Sequence, residues 1–274
     1  MPLGLTTPTT DAVSRAIQEE RADQLPSGIN NFVLYREDHI AVVVLDGEDA
    51  YYKLILEFLL AGIQDPWTDE FVSLELTGDR QAAQARALLA DSIGGRLPGS
   101  VDVRDWERNQ QDYEPENFTR DGMLNAMRAE AIRMEGNDDA VLRVASEDCS
   151  AFISWLRNPE EYLEYEYELP DDLSRQLGGR DFVQLCTFKY DTLLAMEQIG
   201  SLKSATNALL DICLSHNRLV LIDHGVTRVD QAAARWILRN TVPRGFDGLK
   251  KWIALCRRAL LRPRRGERKH TAGG

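Results

Sequence analysis

No lysine in this chain directly follows a glycine, so the phosphate-loop pattern G-x-x-x-x-G-K-[ST] cannot be written anywhere along its 274 residues. G-x-G-x-x-G and the Gly-x-Ser-x-Gly elbow are absent as well. These absences remove the common nucleotide, dinucleotide and serine-hydrolase sites. Cysteine is scarce: Cys149, Cys186, Cys213 and Cys256 include no Cys-x-x-Cys pair, which excludes a zinc ribbon and a dithiol redox motif. They are expected to act as small buried hydrophobes. The four histidines, His39, His216, His224 and His270, show no metalloprotease spacing, and neither a metal nor a cofactor is expected. No apolar run approaches the ~20 residues of a membrane span. The start, MPLGLTTPTTD, has no basic region ahead of an apolar core, so no secretory leader is read there and a cytoplasmic location is expected.

What is present is acid, unevenly placed. The net charge is −12. From Lys250 onward there are nine Lys or Arg and one acid, Glu267, whereas the preceding 249 residues hold 43 acids and 23 bases. An acidic body argues against a broad nucleic-acid-binding face on that body. The basic end is a separate module.

Hydrophobic patterning gives an alternation of strands and helices. His39 to Leu45 is a continuous β-branched run, as a strand buried on both faces should be. Helix Ala50 to Ile63 follows, then strand Glu70 to Leu76, a helix from Asp79 to about Ile93, strand Val101 to Trp106, helix Thr119 to Met134 and strand Ala140 to Val144. Ser146-Glu147-Asp148 starts a further helix, and Pro159 opens another that includes Tyr162 to Leu169, read with Tyr162, Leu163 and Tyr167 packed and its glutamates solvated. The stretch Phe182 to Asp223 then reads as strand, helix, strand, the length of a parallel crossover. Val226 to Asn240 and Leu249 to Leu261 read as helices. Together these predict an α/β three-layer sandwich with a mostly parallel sheet plus C-terminal helices. Residues 1–28 are expected to be a disordered start with a short helix from Asp11 to about Gln24, 29–224 the α/β body, 225–262 a helical extension and 263–274 a disordered basic tail.

Several segments, taken in order, resemble the methanogen/methylotroph sensory domain family. They are Asp38-His39-Ile40, Phe58 to Ile63, Leu142-Arg143-Val144-Ala145-Ser146-Glu147, Tyr165-Glu166-Tyr167-Glu168-Leu169, Leu185 to Asp191, and Ser215-His216. Phe188 falls near the family's tyrosine, Asn217 stands where proline is usual, and Asp148-Cys149 follows Glu147 where Met and Ser or Trp are commoner. The resemblance implies a RecA/KaiC-like core without a working phosphate loop. It also implies a signal-input role in signal transduction or transcription control, sensing small organic compounds.

The expected ligand site lies at the carboxyl ends of the strands, where open α/β sheets hold their ligands. Its candidates are Glu147, Tyr190, Asp191 and His216, with Asp191 read as the next helix's N-cap. The first strand leads into Asp46-Gly47-Glu48-Asp49, and three carboxylates there would repel a triphosphate. The expected function is therefore non-enzymatic: a sensory or regulatory protein binding a small organic ligand or a partner protein, with acidic helices such as Tyr162 to Leu169 available for a homo-oligomer. One alternative is a nucleotide-binding or ATPase-like protein with an atypical phosphate site. Another uses the basic amphipathic helix and tail, Lys250, Lys251, Arg257, Arg258, Arg262, Arg264 and Arg265, to contact DNA or an anionic membrane surface. That helix, with Leu249, Trp252, Ile253, Cys256 and Leu260 on one face, could equally dock on the acidic body.

Overall fold

The computed structural model describes residues 24–260 apart from 31, 47, 67, 77–78 and 106–119. The expected N-terminal helix and the tail with Arg262, Arg264 and Arg265 lie outside the described residues.

β1 (Gln24–Leu25) and β2 (Leu34–Tyr35) form a small antiparallel pair of their own. β3 (His39–Val44) follows, buried at all six positions as its β-branched run requires. Next come α1 (Glu48–Ile63), β4 (Glu70–Leu76), α2 (Asp79–Ser92), β5 (Val101–Asp105), α3 (Arg120–Arg133) and β6 (Val141–Ser146). α4 (Cys149–Trp155), α5 (Pro159–Tyr165) and α6 (Leu169–Gln176) lead to β7 (Phe182–Lys189). α7 (Tyr190–Gln198) and α8 (Ala205–Ser215) precede β8 (Arg218–Asp223), β9 (Val226–Val229), α9 (Asp230–Asn240) and α10 (Gly245–Leu260).

The main sheet has seven strands in the order β5-β4-β6-β7-β3-β8-β9. All its neighbours run parallel except β9, which is antiparallel to β8. Strand alternation assigns its two faces. Ile40, Val42 and Val44 pack with Leu54, Ile55, Phe58 and Leu59 of α1 and Leu89 of α2. Ala41 and Val43 face the other way, onto residues of α4, α5 and α7 to α10. Leu142, Val144 and Phe182 extend that second face beneath α3 and α6, against Met127, Leu169 and Leu173. This is the expected α/β three-layer sandwich with a mostly parallel sheet, RecA-like in kind. No helix among the described residues is long and apolar enough to cross a membrane.

The structure departs from the sequence reading at four places. The helix expected from Val226 begins instead as β9. His224 and Gly225 both take positive φ, 48° and 74°, which makes a two-residue hairpin that folds β9 back on β8. The crossover between β7 and β8 holds two helices, not one, broken at Gly200 (φ 78°). Tyr162 to Leu169 is not one helix: α5 ends at Tyr165, and a new helix with a proline in its first turn starts at Leu169. Finally, α10 is rotated from its expected face. Gly248, Leu255 and Ala259 are buried, while Leu249, Ile253 and Leu260 are exposed. Small residues allow close approach, and polar anchors fix the rotation. Lys251 pairs with Asp211 at 2.8 Å, and Arg258 donates to the carbonyls of Cys213 and His216 at the end of α8.

Candidate functional site

The expected residues do not share one site. Glu147 and Tyr190 stand at the carboxyl ends of β6 and β7, but His216 precedes β8 and so lies at the opposite, amino end of the sheet. A helix C-terminus feeding a parallel strand must enter at that end, which is why His216 cannot line the crevice expected for it.

At the carboxyl end, Glu147 is buried and its backbone N–H donates to Glu75 (2.9 Å). The Glu75 carboxylate accepts from Ser146 Oγ at 2.7 Å. Asp148 caps α4 by accepting from Ala151 N at 3.0 Å. It also pairs with Lys189 Nζ at 3.3 Å, and that ammonium lies 4.9 Å from the centroid of the Tyr51 ring. Partial burial alone would lower the Lys189 pKa, but the Tyr51 hydroxyl and the Asp148 carboxylate outweigh it and raise it. Tyr190 is half-buried, its hydroxyl 3.4 Å from Thr206 Oγ1. Asp191 is exposed in the first turn of α7, whose N-cap is Lys189, so it is not the cap. Its charge there still suits the helix dipole.

At the amino end the chemistry is different. His39 opens β3 on the α8 side of the sheet, and its backbone N–H donates to Asn217 Oδ1 at 2.8 Å. Asn217 Nδ2 donates in turn to Glu37 O at 3.2 Å, so Asn217 clamps the starts of β3 and β8. Cys186 sits on the neighbouring strand, opposite Ala41. Its Sγ is 3.5 Å from His39 Nε2. His216 Nδ1 donates to Ile212 O at 2.8 Å, which leaves Nε2 as the bare nitrogen. The two imidazoles stack with centroids 3.8 Å apart at 28°, and Phe188 meets His216 edge-on at 5.5 Å.

Glu166 completes this group. It is the C-cap of α5, at the corner where α5 gives way to α6, and it is fully buried. Its Oε2 is 3.8 Å from Nε2 of both histidines. Burial moves all three groups toward neutrality. The Glu166 carboxyl is pushed up to about 7, His39 down to about 3, and His216 well below its usual value. With neutral imidazoles, the 3.8 Å approaches are not ion pairs. His216 Nε2 has no hydrogen-bond partner among the described residues, and the Glu166 carboxylate has little beyond its approach to Tyr162. The Tyr162 phenol lies beside the carboxylate and offers it partial relief.

Sequence reasoning placed His216 in a ligand site and missed its companions. His39, Glu166 and Cys186 each lie inside a segment that carried the family resemblance, yet none was assigned a role. A further signal was available for Glu166. It stands four residues after Tyr162 and three after Leu163, on the apolar face of its helix, where a solvated glutamate does not belong. Of the basic candidates, Lys251 and Arg258 are engaged within the fold, and Lys250 and Arg257 are exposed. Cys149, Cys186 and Cys213 are buried as expected, and Cys256 is only partly so.

No family model matches the chain, and no curated protein matches it by sequence. Among solved structures it is similar to the cytoplasmic domain of EssC, with 14% identity over 73% of this chain and 35% of that one, at a TM-score of 0.36. It is also similar to EssC (ATPases 2 and 3) from Geobacillus thermodenitrificans, with 11% identity over 80% of this chain and 37% of that one, at a TM-score of 0.35. The chain thus spans little more than a third of either structure's length. Likenesses at this level leave function to be argued from the site.

Proposed function

We propose that this chain is a non-enzymatic sensory or regulatory protein on a RecA-like core, of the kind the sensory-domain resemblance implies. It takes up a small organic ligand or a partner protein instead of turning over a nucleotide. One observation carries this reading: the carboxyl end of the sheet is lined by acid. Glu75, Glu147 and Asp148 gather at the ends of β4 and β6, and Lys189 beside them is already paired with Asp148. A triphosphate arriving there would meet carboxylates before it met an uncommitted cation, which opposes binding in a partly desolvated site.

The remaining polar investment agrees with sensing rather than turnover. The His39, Cys186, His216 and Glu166 group is closed to solvent, each at most 1% exposed. A sealed site cannot exchange substrate and product without opening the fold, whereas a regulatory protein can report such an opening directly.

A thermal-shift screen of the full chain tests the reading. At ~100 times its dissociation constant a ligand adds roughly 2.7 kcal/mol, a readable rise in melting temperature. Shifts with small one-carbon or halogenated organics, and none with magnesium-ATP or magnesium-GTP, are the expected outcome. A magnesium-dependent shift with ATP would sink the proposal in favour of a nucleotide-binding protein.

A further inference from the structure

The geometry points to a buried transition-metal site, closed and four-coordinate, in which His39, His216, Cys186 and Glu166 hold a divalent ion of borderline softness, zinc first. This inference does not need the sensory reading, whose carrying observation is the acidic carboxyl end of the sheet, whereas the metal site is argued from the amino end.

Spacing supports it. One donor atom from each of His39, Cys186 and His216 lies within 4.8 Å of the other two. His39 Nε2 is 3.5 Å from Cys186 Sγ, and Glu166 Oε2 is 3.8 Å from each histidine Nε2. Around a tetrahedral ion with bonds of about 2.0–2.3 Å, donor atoms stand roughly 3.3–3.8 Å apart. The His39, Cys186 and His216 donors are therefore gathered before any ion enters, while Glu166, which approaches both imidazoles but lies outside that trio, moves inward to complete the cage. The other adjustment that binding requires is a splaying of the two stacked rings, so that both Nε2 lone pairs can point at one centre.

Unmet valence supports it too. Buried polar groups are normally hydrogen-bonded, and the exceptions call for a partner. Here His216 Nε2 lacks one, and the Glu166 carboxylate beside it is met only by the Tyr162 phenol, all within the same small volume. His216 already has the outer-shell bond typical of a ligand, its Nδ1–H on Ile212 O, which fixes the ring with Nε2 facing inward. Charge closes the argument. A thiolate, a carboxylate and two neutral imidazoles around a dication sum to zero, the one ionisation state of these groups that a dry interior accepts readily. Binding releases the Cys186 thiol proton and any proton on Glu166 to solvent.

Four protein donors leave no open position, so the ion is a staple or a reported signal rather than a Lewis acid for substrate. It ties the start of β3, the middle of β7, the entry to β8 and the α5–α6 corner, which are otherwise far apart in sequence.

The test uses the full chain purified without chelator. Elemental analysis should find about one zinc per chain, or one per chain after addition of zinc followed by desalting. Cobalt substitution should give a thiolate-to-cobalt charge-transfer band that Cys186→Ser abolishes and Cys149→Ser, which alters the neighbouring buried thiol, leaves in place. Should Cys186→Ser fail to fold, Glu166→Gln decides the matter: it preserves shape, removes one charge, and should weaken zinc at least tenfold in competition with a chromophoric chelator. Absence of zinc or cobalt uptake by folded wild-type protein overturns the proposal. So does a cobalt band that survives Cys186→Ser, or zinc affinity unchanged in Glu166→Gln. None of these readouts depends on the organic or nucleotide ligand at the other end of the sheet, so this inference and the proposed function fail separately.

Discussion

The sheet buries ionisable side chains on both faces, and the two groups are handled in opposite ways. On the α1 side, Arg143 of β6 is fully buried and fully answered. It forks onto both oxygens of Glu70, donates to Phe58 O and Pro26 O at 2.9 Å each, and stacks 4.7 Å from the Phe58 ring centroid. On the α8 side, Glu166 is as deeply buried but has no cation, only the Tyr162 phenol beside it, and the imidazoles around it are neutral. The first group is complete within the chain, and its chemistry ends in structure. The second is incomplete within the chain. A buried charge says little by itself; whether its valence is met by its own chain separates scaffold from site.

The sharpest way to break this contrast is to cut the complete pair. Arg143→Met should cost about 3–5 kcal/mol, because it strands Glu70 without its cation. Urea denaturation reads this, and adding Glu70→Leu to the same chain should recover most of the loss. If the double variant stays as unstable as the single, the backbone bonds of Arg143 matter more than the ion pair. Next in size is Gly62→Ala. A Cβ at Gly62 would run into Arg143 Nε and Glu70 Oε2, well inside van der Waals contact. The overpacking should cost about 1–3 kcal/mol. A melting temperature unchanged by Gly62→Ala would mean that the pair has room to move.

Much of this fold was legible because it follows from local pattern. The β-branched run of β3 and the caps and breakers between elements placed all six parallel strands of the main sheet, but not the short β1–β2 pair. β9 was not legible as a strand, since Val226-Thr227-Arg228-Val229 is only half-buried and runs straight into a helix. The His224-Gly225 turn before it was the available signal. The candidate site was legible only in pieces. His39, Glu166, Cys186 and His216 are separated by up to 177 residues, and motif spacing detects donors only when they share one helix or loop. What brings these four together is parallel pairing of β3 with β7 and β8, a long-range consequence of the whole sheet. The face of α10 escaped for a related reason. Its rotation is set by Asp211 and by the carbonyls of Cys213 and His216 on another helix, and its own apolar stripe gave the wrong side.

A smaller effect is expected at the junction of α10 with the site. Arg258 donates to His216 O and Cys213 O, so Arg258→Ala should cost about 1–2 kcal/mol by leaving those carbonyls to solvent. If α10 were merely lying on the surface, the same substitution would leave the urea midpoint where it is.

The smallest effect on stability carries the most meaning. In chelator-treated protein, Glu166→Gln should change stability by no more than about 1 kcal/mol, and toward greater stability at pH 7 and above. The sign follows from the raised pKa. Burial holds the Glu166 carboxyl at about 7, above its unfolded value, so the folded state retains a proton that the unfolded state has already lost. Stability contributed by that proton is full below the unfolded pKa and declines as pH rises through 7, where the bare carboxylate must be buried. Glutamine never ionises, and its amide can donate to the neighbouring imidazole nitrogens. Removing the same carboxylate charge at position 70 should instead weaken the protein across this range, because that carboxylate is matched to a guanidinium. Parallel urea titrations of the Glu70→Gln and Glu166→Gln variants at pH 6 and pH 8 therefore compare the two faces of the sheet directly. Equal losses in both variants would mean that Glu166 is already satisfied by the chain, and that the contrast between a finished scaffold and an unfinished site does not hold.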